Sequence, residues 1–365
     1  MDSLEFRSRQ NASEFEDKIK ELMPEKKVKM VHVCGTHENT IVEHGLRDLL
    51  PENLEVRMGP GCPVCVTAKY HIDEAVKIAK ETDATVATYG DLLKVPGNHG
   101  SLEEARSEGG NVEIVTSAAE AVKMAENGTE TVFLGVGFET TATTLAPLIA
   151  KEPPENFSAL ISYKVIPPAI QALVQDEDLE VDTFIGPGHV STIIGEQPYQ
   201  QFAEKGYTTV ITGFEPNDVL YGIAKGLEQL QKPEAEVINA YPRCVDKEGN
   251  KKSQKIFKEV FRKTEMDWRG LGKIPDSGYR LKEEYSKWDA RKKYSLDVEK
   301  KSEEKKLEKA CRCDRITVAK ATPEDCPLFG HRCTPEDPVG PCMVGDEGMC
   351  RAWYQHGKKR GRDTE

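Results

Sequence analysis

From Val28 to about Ala240, the chain alternates short β-branched runs with amphipathic stretches. Val, Ile and Thr favour extended strands, while apolar residues spaced three and four positions apart favour helices. Nine runs have the strand pattern, and they start at Val28, Leu54, Ala84, Val112, Thr131, Ala159, Thr183, Thr208 and Glu236. Strands that alternate with helices are typical of parallel α/β sheets. The pattern therefore predicts an α/β fold with two doubly wound parallel-sheet domains that face a cleft.

The division of the chain follows from the order of these runs. We expect one α/β domain over residues 28–127 and a second over residues 128–245. The β-branched runs then stop, and the charged segment that follows, which includes VEKKSEEKKLEK, is predicted to be helical. Residues 1–27 together with 246–365 would form a smaller helical and Cys-rich domain.

Composition narrows the class of protein. The 365 residues suit two or three domains, and no stretch approaches the roughly 20 apolar residues of a membrane-spanning helix. The beginning, MDSLEFRSRQ, lacks a secretory signal pattern, so we expect a cytoplasmic protein with no membrane partner. The net charge of −12 argues against a nucleic-acid binder, which needs a basic surface. Ten cysteines in such a chain indicate metal or redox chemistry.

Six of the cysteines lie in the last part of the chain, which is rich in Pro and Gly and poor in apolar residues. Such a segment needs a constraint other than a hydrophobic core, and a metal cluster would supply it. A [4Fe-4S] cluster takes four thiolates and leaves two for a neighbouring dithiol. We expect the cluster ligands to be Cys311, Cys326, Cys333 and Cys350, and the dithiol to be Cys313 and Cys342. A zinc site is the alternative, because thiolates also suit zinc.

The motif GPGCPVC carries a CxxC pair, Cys62 and Cys65, just before a predicted helix. The spacing brings two sulfurs near disulfide-forming distance, and a helix N-terminus lowers the pKa of a thiol. Reversible oxidation is therefore the expected chemistry, with half of a zinc site as the alternative. Cys244 has no companion nearby and is expected to be structural.

The motif CGTHE follows the first strand, with Cys34 as a soft ligand suited to ferrous iron and His37 as a ligand, a proton shuttle or a group that tunes the thiol. Loops at the carboxyl ends of parallel strands converge, so Cys34 should lie near Cys62 and Cys65. An inert buried cysteine is the alternative. The same edge should also receive Glu139, Thr140, His189 and Glu215. His189 has the alternative role of capping its loop.

Taken together and in order, these motifs resemble the HypD family of [NiFe]-hydrogenase maturation proteins along nearly the whole chain. The motifs are CGTHE, GPGCPVC, GFETT, GPGHVSTIIG, GFEP, NAYPR, WRGLGKIPDSG and CPLFGHRCTPEDPVGPCMVGDEGMC. Two small departures are MVGDEG where the family reads MVSSEG, and CRCD at Asp314 where CRCG is usual. Neither departure removes a cysteine.

The resemblance implies a redox-active scaffold, more than a turnover enzyme, for the iron–dicyanide–carbonyl unit of [NiFe]-hydrogenase. Family members hold the iron together with HypC, receive cyanide from HypE and serve the hydrogenase large subunit indirectly. Transferred to the matching motifs, the family roles make Cys34 the iron ligand and Cys62 with Cys65 the redox pair. His37 would be the neighbouring acid, base or hydrogen-bond donor. The C-terminal cysteines resemble those of ferredoxin–thioredoxin reductase, in which a [4Fe-4S] cluster lies next to a dithiol.

Two other functions fit parts of the pattern. The first is a thiol–disulfide oxidoreductase that is fed by the cluster, uses the CxxC as its active site and delivers no iron. The second is an α/β binding protein whose terminal cysteines form a structural zinc domain. Iron and acid-labile sulfide in the purified protein distinguish the zinc domain from the other two.

Overall fold

The computed structural model describes residues 8–296 and 309–357. All nine predicted strands are confirmed, and a tenth and an eleventh follow them. Their bounds are β1 Val28–His32, β2 Leu54–Met58, β3 Thr85–Thr88, β4 Val112–Ile114, β5 Thr131–Gly137, β6 Phe157–Tyr163, β7 Thr183–Pro187, β8 Thr208–Thr212, β9 Val237–Asn239, β10 Phe261–Trp268 and β11 Gly272–Leu281.

Helices connect the strands, and several begin where side chains satisfy free backbone N–H groups. Ser117, for example, accepts a hydrogen bond from Glu120 N at the start of α5. Pro167 lies in the first turn of α7, where its missing N–H costs nothing. The helix bounds are α1 Arg9–Leu22, α2 Gly35–Glu43, α3 Lys69–Glu81, α4 Leu102–Ser107, α5 Ala118–Glu126, α6 Glu139–Ala150, α7 Ile166–Val174, α8 Gly188–Ile194, α9 Gln200–Ala203, α10 Pro216–Leu230, α11 Lys251–Val260, α12 Ala290–Lys293, α13 Cys313–Ile316 and α14 Met349–His356.

The strands form two parallel sheets, as the α/β pattern predicts. The first sheet has the order β2-β1-β7-β8-β9, and the second has the order β4-β3-β5-β6. Every pair within these two sheets is parallel. Most residues of β5 and β6 are fully buried, as expected for strands covered on both faces.

The sheets do not correspond to the expected halves 28–127 and 128–245. Strands β3 and β4 from the first half pair with β5 and β6, while β7 to β9 return to β1. Val86 is in register with Val132, and His32 is in register with Ile185. Hydrophobic periodicity predicts strands but does not encode which distant strand each one joins, so this pairing could not be predicted from it.

The segment after β9 also differs from the expected run of helices. Helix α11 is followed by an antiparallel hairpin of β10 and β11. Buried Phe261, Met266 and Trp268 line one part of β10, and charged residues separate them. Those charges obscure the strand pattern in the sequence. The predicted helix over VEKKSEEKKLEK falls, from residue 298 to residue 308, outside the described residues.

The Cys-rich segment packs into a core that it shares with the second sheet. This core joins Cys342 and Cys350 to Val86 and Leu134 of β3 and β5, and it also contains the CxxC cysteines. The Cys-rich segment therefore packs directly beside the CxxC loop of the first sheet. Within the part of the chain that the structure describes, no helix has both the length and the apolar character needed to cross a membrane.

Candidate functional site

Backbone hydrogen bonds bring the CGTHE and GPGCPVC loops together at the carboxyl edge of the first sheet. Gly59 N donates to His32 O at 2.8 Å, and Gly35 N donates to Gly61 O at 3.0 Å. A Cβ atom on Gly61 would lie only 2.0 Å from the backbone N of Cys34. Glycine is therefore required at this position, because any side chain would separate the two loops.

The CxxC pair is present as a disulfide between Cys62 and Cys65. Both residues are buried, with exposed fractions of 1% and 0%. The backbone N of Cys65 also donates to the Cys62 sulfur at 3.1 Å. The next helix, α3, begins at Lys69, so the pair lies one turn before the helix and not at its first residue. The sulfurs face the protein interior, where access for a large substrate is restricted.

Cys34 is a free and buried cysteine that forms the N-cap of α2. Burial, followed by the nearby Glu347 carboxylate, raises the pKa of the Cys34 thiol to about 12. Backbone N–H groups of Thr36 and His37 act in the opposite direction. In the protein alone the thiol is therefore protonated at neutral pH. A cation bound at the sulfur would favour the thiolate, as metal ions do for coordinating thiols.

His37 is buried beside Cys34 with one ring nitrogen in use. Its Nε2–H donates to the carbonyl oxygen of Gly213 at 2.9 Å. Burial, followed by the field of His32, lowers the pKa of His37 to about 3, so the ring is neutral. The Nδ1 atom then carries a lone pair, and it has no hydrogen-bond partner among the described residues. A neutral ring with a free acceptor can bind a metal or receive a proton.

His189 reaches the same region through an aromatic stack. Phe214 lies between the two histidines, with ring centroids 4.7 Å from His37 and 3.8 Å from His189. His189 is exposed, while His37 is buried. Partial burial lowers the pKa of His189. The stack therefore runs from a buried imidazole beside Cys34 to an imidazole on the surface.

Glu139 lies at the start of α6 and is fully buried. Its Oε1 accepts from Ile166 N at 3.0 Å, and its Oε2 has no partner among the described residues. Burial raises the pKa of Glu139 to about 7, so the carboxyl group can hold a proton near neutral pH. The buried Tyr199 hydroxyl experiences the charges of both Glu139 and Cys34. Glu139 can therefore hold a proton, and Tyr199 lies within electrostatic range of both Glu139 and Cys34.

The other residues that the sequence analysis singled out are Thr140, Glu215 and Cys244, and each lies in a different environment. Thr140 faces a pocket of about 490 Å³ that the CxxC loop also lines. Glu215 caps the N-terminus of α10, so its carboxylate has a structural role. Cys244 is exposed. Besides Thr140, the pocket is lined by Pro63, Val64, Tyr89, Asp91, Leu92, Val136, Thr141, Thr144 and Glu347.

Sequence reasoning missed Glu347, which lies between two cysteines of the C-terminal segment. A Cβ atom on Gly35 would lie 2.4 Å from the Cβ of Glu347, so the two backbones are in close contact. Thr36 Oγ1 donates to Glu347 Oε1 at 3.3 Å. Burial, followed by Asp91, raises the pKa of Glu347. The glycine of CGTHE was the available signal, since glycine is needed where another chain segment approaches this closely.

Glu38, also of the CGTHE motif, ties the first sheet to the C-terminal helix. It is fully buried, accepts from Arg47 at 2.8 Å and from Trp353 Nε1 at 2.5 Å, and lies 2.8 Å from His32 Nε2. The other ring nitrogen of His32 lies 3.1 Å from the carbonyl oxygen of Cys34. Burial opposes the charge of Glu38, but Arg47 and His32 lower its pKa to about 2. The carboxylate therefore positions both Cys34 and α14.

Replacement of Glu38 by glutamine is expected to destabilise the protein by about 1–3 kcal/mol, because the amide cannot accept from all three donors and leaves buried groups unsatisfied. Urea unfolding at pH 7 measures this change. Glu43→Gln is the matched control, since Glu43 is exposed on the same helix. An equal loss in both variants, or none in Glu38→Gln, would contradict the assigned role.

The six C-terminal cysteines lie together in one place. The thiols of Cys311 and Cys326 share a hydrogen bond. The thiol of Cys342 forms hydrogen bonds with the thiols of Cys313 and Cys350. The Cys333 sulfur accepts from Val339 N at 3.3 Å. Across residues 8–296 and 309–357, no group of three or more His, Cys, Asp or Glu side chains is arranged to hold a single metal ion.

Backbone N–H groups donate hydrogen bonds to sulfurs of this group. Hydrogen bonds of this kind also surround the sulfurs of iron–sulfur clusters. Arg312, Leu328 and Phe329 supply such groups to Cys326. The hydrogen bond from Cys311, followed by these amides, lowers the pKa of Cys326 to about 5. The donor set of soft sulfurs and amides therefore fits a thiolate-bound cluster.

One short segment connects this thiol group to the Cys34 site. Its ends are Cys342 and Cys350, which belong to the thiol group. Between them, a Cβ atom on Gly345 would lie 3.6 Å from Val64 of the CxxC loop, and Glu347 contacts the residues next to Cys34. The segment thus contacts the thiol group, the CxxC loop and the CGTHE loop.

Comparison with known proteins adds independent information. The sequence model of the HypD family, described as "Hydrogenase formation hypA family", matches residues 10–357. A Methanocaldococcus jannaschii protein named for hydrogenase expression and formation is 46% identical over 347 residues, which cover 93% of this chain and 95% of the relative. The hydrogenase maturation factor HypD2 of Bradyrhizobium diazoefficiens is 39% identical over 371 residues, covering 98% and 97%. The hydrogenase maturation factor HypD of Cupriavidus necator is 39% identical over 352 residues, covering 93% and 92%.

Proposed function

This chain belongs to the HypD family of hydrogenase formation proteins, and from that premise we propose that it is the scaffold on which the Fe(CN)2CO unit of [NiFe]-hydrogenase is assembled. Iron is the cargo in this proposal and not a resident cofactor. One observation carries it: the segment from Cys342 to Cys350 joins a group of six cysteines to the loops that hold Cys34 and the CxxC disulfide.

Cys34 is the proposed ligand of the iron. Its thiol is buried and protonated in the protein alone, so it becomes a thiolate only when a cation arrives. This arrangement protects the sulfur from oxidation until iron binds. The free Nδ1 of His37 can receive the thiol proton or contact the metal, and Glu139 is a second proton-holding group nearby.

The redox part of the proposal concerns the other cysteines. A [4Fe-4S] cluster held by Cys311, Cys326, Cys333 and Cys350 would supply single electrons. Cys313 and Cys342 already share a thiol hydrogen bond, which supports their role as the neighbouring dithiol. The Cys62–Cys65 disulfide would accept two electrons and two protons to become a dithiol.

The burial of this disulfide favours the scaffold over a thiol–disulfide oxidoreductase. A protein substrate must bring its own sulfur into line with the attacked disulfide. Here the two sulfurs belong to residues that are 1% and 0% exposed. An internal electron route suits such a position better than exchange with a large external substrate.

The proposed partners follow from the family. HypC would share the iron at the Cys34 site, HypE would deliver cyanide, and the hydrogenase large subunit would receive the finished unit. His189 lies at the exposed end of the stack of His37, Phe214 and His189, and this exposed ring suits a protein contact near the Cys34 site. We place the assembly in the cytoplasm.

Infrared spectroscopy tests the proposal directly. The chain is purified without oxygen together with its HypC partner, and spectra are recorded with iron and acid-labile sulfide analyses. We expect cyanide and carbonyl stretching bands, which protein groups lack. A complex that contains iron but shows neither band would reject the scaffold.

A further inference from the structure

The turn between β10 and β11, residues 269–271, lies against the CxxC loop. Trp268, the last residue of β10, forms an isolated antiparallel bridge with Thr67. The backbone N of Arg269 donates to the carbonyl oxygen of Val66 at 2.9 Å. The side-chain Nε of Arg269 donates to the carbonyl oxygen of Thr67 at 3.1 Å. The turn therefore holds the two residues that directly follow the CxxC pair.

Those two residues are themselves bonded to the CxxC pair. Val66 N donates to the carbonyl oxygen of Cys62 at 3.2 Å. Thr67 Oγ1 donates to the carbonyl oxygen of Pro63 at 2.8 Å. The loop from Cys62 to Thr67 is thus one compact turn, and a contact that fixes Val66 and Thr67 also fixes the disulfide.

The other side of the hairpin turn contacts α13, the helix that begins at Cys313. A Cβ atom on Gly270 would lie 2.6 Å from the carbonyl oxygen of Asp314 and 2.9 Å from Thr317 Oγ1, so the turn and the helix touch. The Thr317 hydroxyl donates to the carbonyl oxygen of Cys313 at 2.9 Å. The Arg269 side chain lies within electrostatic range of the Cys313 thiol. The turn therefore connects the CxxC loop to the helix that carries Cys313.

A shared apolar core supports this connection. It contains Val66 of the CxxC loop, Trp268 of the hairpin and Val318 just after α13, all of them buried. The indole Nε1 of Trp268 donates to Ser277 Oγ on the opposite strand at 2.8 Å. The base of the turn is thus fixed by packing, and Arg269 extends from this base to the loop.

We propose that Arg269 is a positioning residue for electron transfer within the chain, because it holds the CxxC disulfide in place relative to Cys313. The inference rests on the proposed function and deepens its redox part. Arg269 itself neither gains nor loses electrons. Its contribution is the fixed placement of one sulfur pair relative to the other.

The step that depends on this placement is a thiol–disulfide exchange. The Cys313 sulfur attacks one CxxC sulfur, and the Cys62–Cys65 bond breaks as a mixed disulfide forms. Cys342, whose thiol is hydrogen-bonded to that of Cys313, then attacks the Cys313 sulfur and releases the CxxC dithiol. The C-terminal pair loses two electrons and two protons, and the CxxC pair gains them. A misplacement of about 1 Å can slow such a step about 100-fold.

Timed thiol labelling of the full chain tests this role. The protein is purified without oxygen, with iron and sulfide bound and both sulfur pairs oxidised. Dithionite supplies electrons to the cluster, acid stops the reaction, and mass spectrometry of the alkylated peptides gives the reduced fraction of each pair. Arg269→Met should slow reduction of the CxxC pair about tenfold or more. Reduction of the Cys313–Cys342 pair should keep its wild-type rate, and the iron and sulfide contents should be unchanged.

Controls separate positioning from general damage. Cys313→Ala measures any direct reduction of the CxxC pair by dithionite. A small phosphine reduces a disulfide without help from Cys313, so Arg269→Met should react with it no more slowly than the wild type. Arg262→Met removes an exposed arginine of the same hairpin and should match the wild type in every assay. If Arg269→Met does not fold, Arg269→Lys replaces it and should also be slower, because an ammonium lacks the planar geometry of a guanidinium.

The possible failures are distinguishable. Equal rates of CxxC reduction in wild type and the folded Arg269 variant would overturn the positioning role. An equal loss in Arg262→Met, or slower reaction of the Arg269 variant with phosphine, would overturn it as well. A wild type that reduces its C-terminal pair but never its CxxC pair would reject this inference together with the redox part of the proposed function. The cyanide and carbonyl bands test the iron scaffold independently of these rates.

Discussion

Replacement of Cys34 by alanine is expected to abolish the cyanide and carbonyl infrared bands of the protein purified with its HypC partner. Cys34 is the buried thiol at the edge where the CGTHE and GPGCPVC loops meet. Alanine removes the soft sulfur ligand, and ferrous iron with strong-field ligands then has no anchor on this chain. The iron associated with the site should fall to background, while the iron of the C-terminal cysteines should remain.

Cys244→Ala is the matched control for this result. Cys244 is also a free cysteine, but it is exposed. Its replacement should leave the infrared bands unchanged. If Cys34→Ala keeps both bands at wild-type intensity, Cys34 is not the iron ligand.

The second large effect concerns the C-terminal cysteines. Cys326→Ala and Cys350→Ala should each lose acid-labile sulfide and the brown colour of the anaerobic protein, because a cluster with a missing thiolate is not retained. Cys313→Ala and Cys342→Ala should keep about four irons and four sulfides per chain, the content of one [4Fe-4S] cluster. These two variants should instead fail to reduce the Cys62–Cys65 disulfide.

Other outcomes would contradict particular cysteine assignments. Loss of sulfide in Cys313→Ala or Cys342→Ala with retention in Cys326→Ala would exchange the ligand and dithiol assignments. Zinc without sulfide in the wild type would favour the structural zinc domain. Free thiols are counted in each purified variant before and after chemical reduction. The difference gives the redox state of the CxxC pair.

Much of the fold was predictable because its strands have strong periodicity. All nine β-branched runs between Val28 and Ala240 form strands, and the strand-end rule placed Cys34 and the CxxC loop at one edge. The hairpin was missed because Lys263 and Glu265 interrupt the apolar pattern of β10. Periodicity describes local structure, so the exchange of strands between the two sheets lay beyond it.

The site was less predictable because much of it depends on contacts between distant residues. Glu347 reaches Thr36 across more than 300 positions of sequence, and Glu38 reaches Trp353 across a similar span. No spacing rule links such residues.

The interleaved order of the two sheets has a consequence for synthesis on the ribosome. Strand β1 is made early, but its neighbour β7, the central strand of the first sheet, begins only at Thr183, after the whole second sheet. Until then β1 and β2 are an isolated pair of strands, which is too little to be stable in water. A growing chain therefore completes the edge around Cys34 late, and the segment with Glu347, which contacts that edge, is made later still.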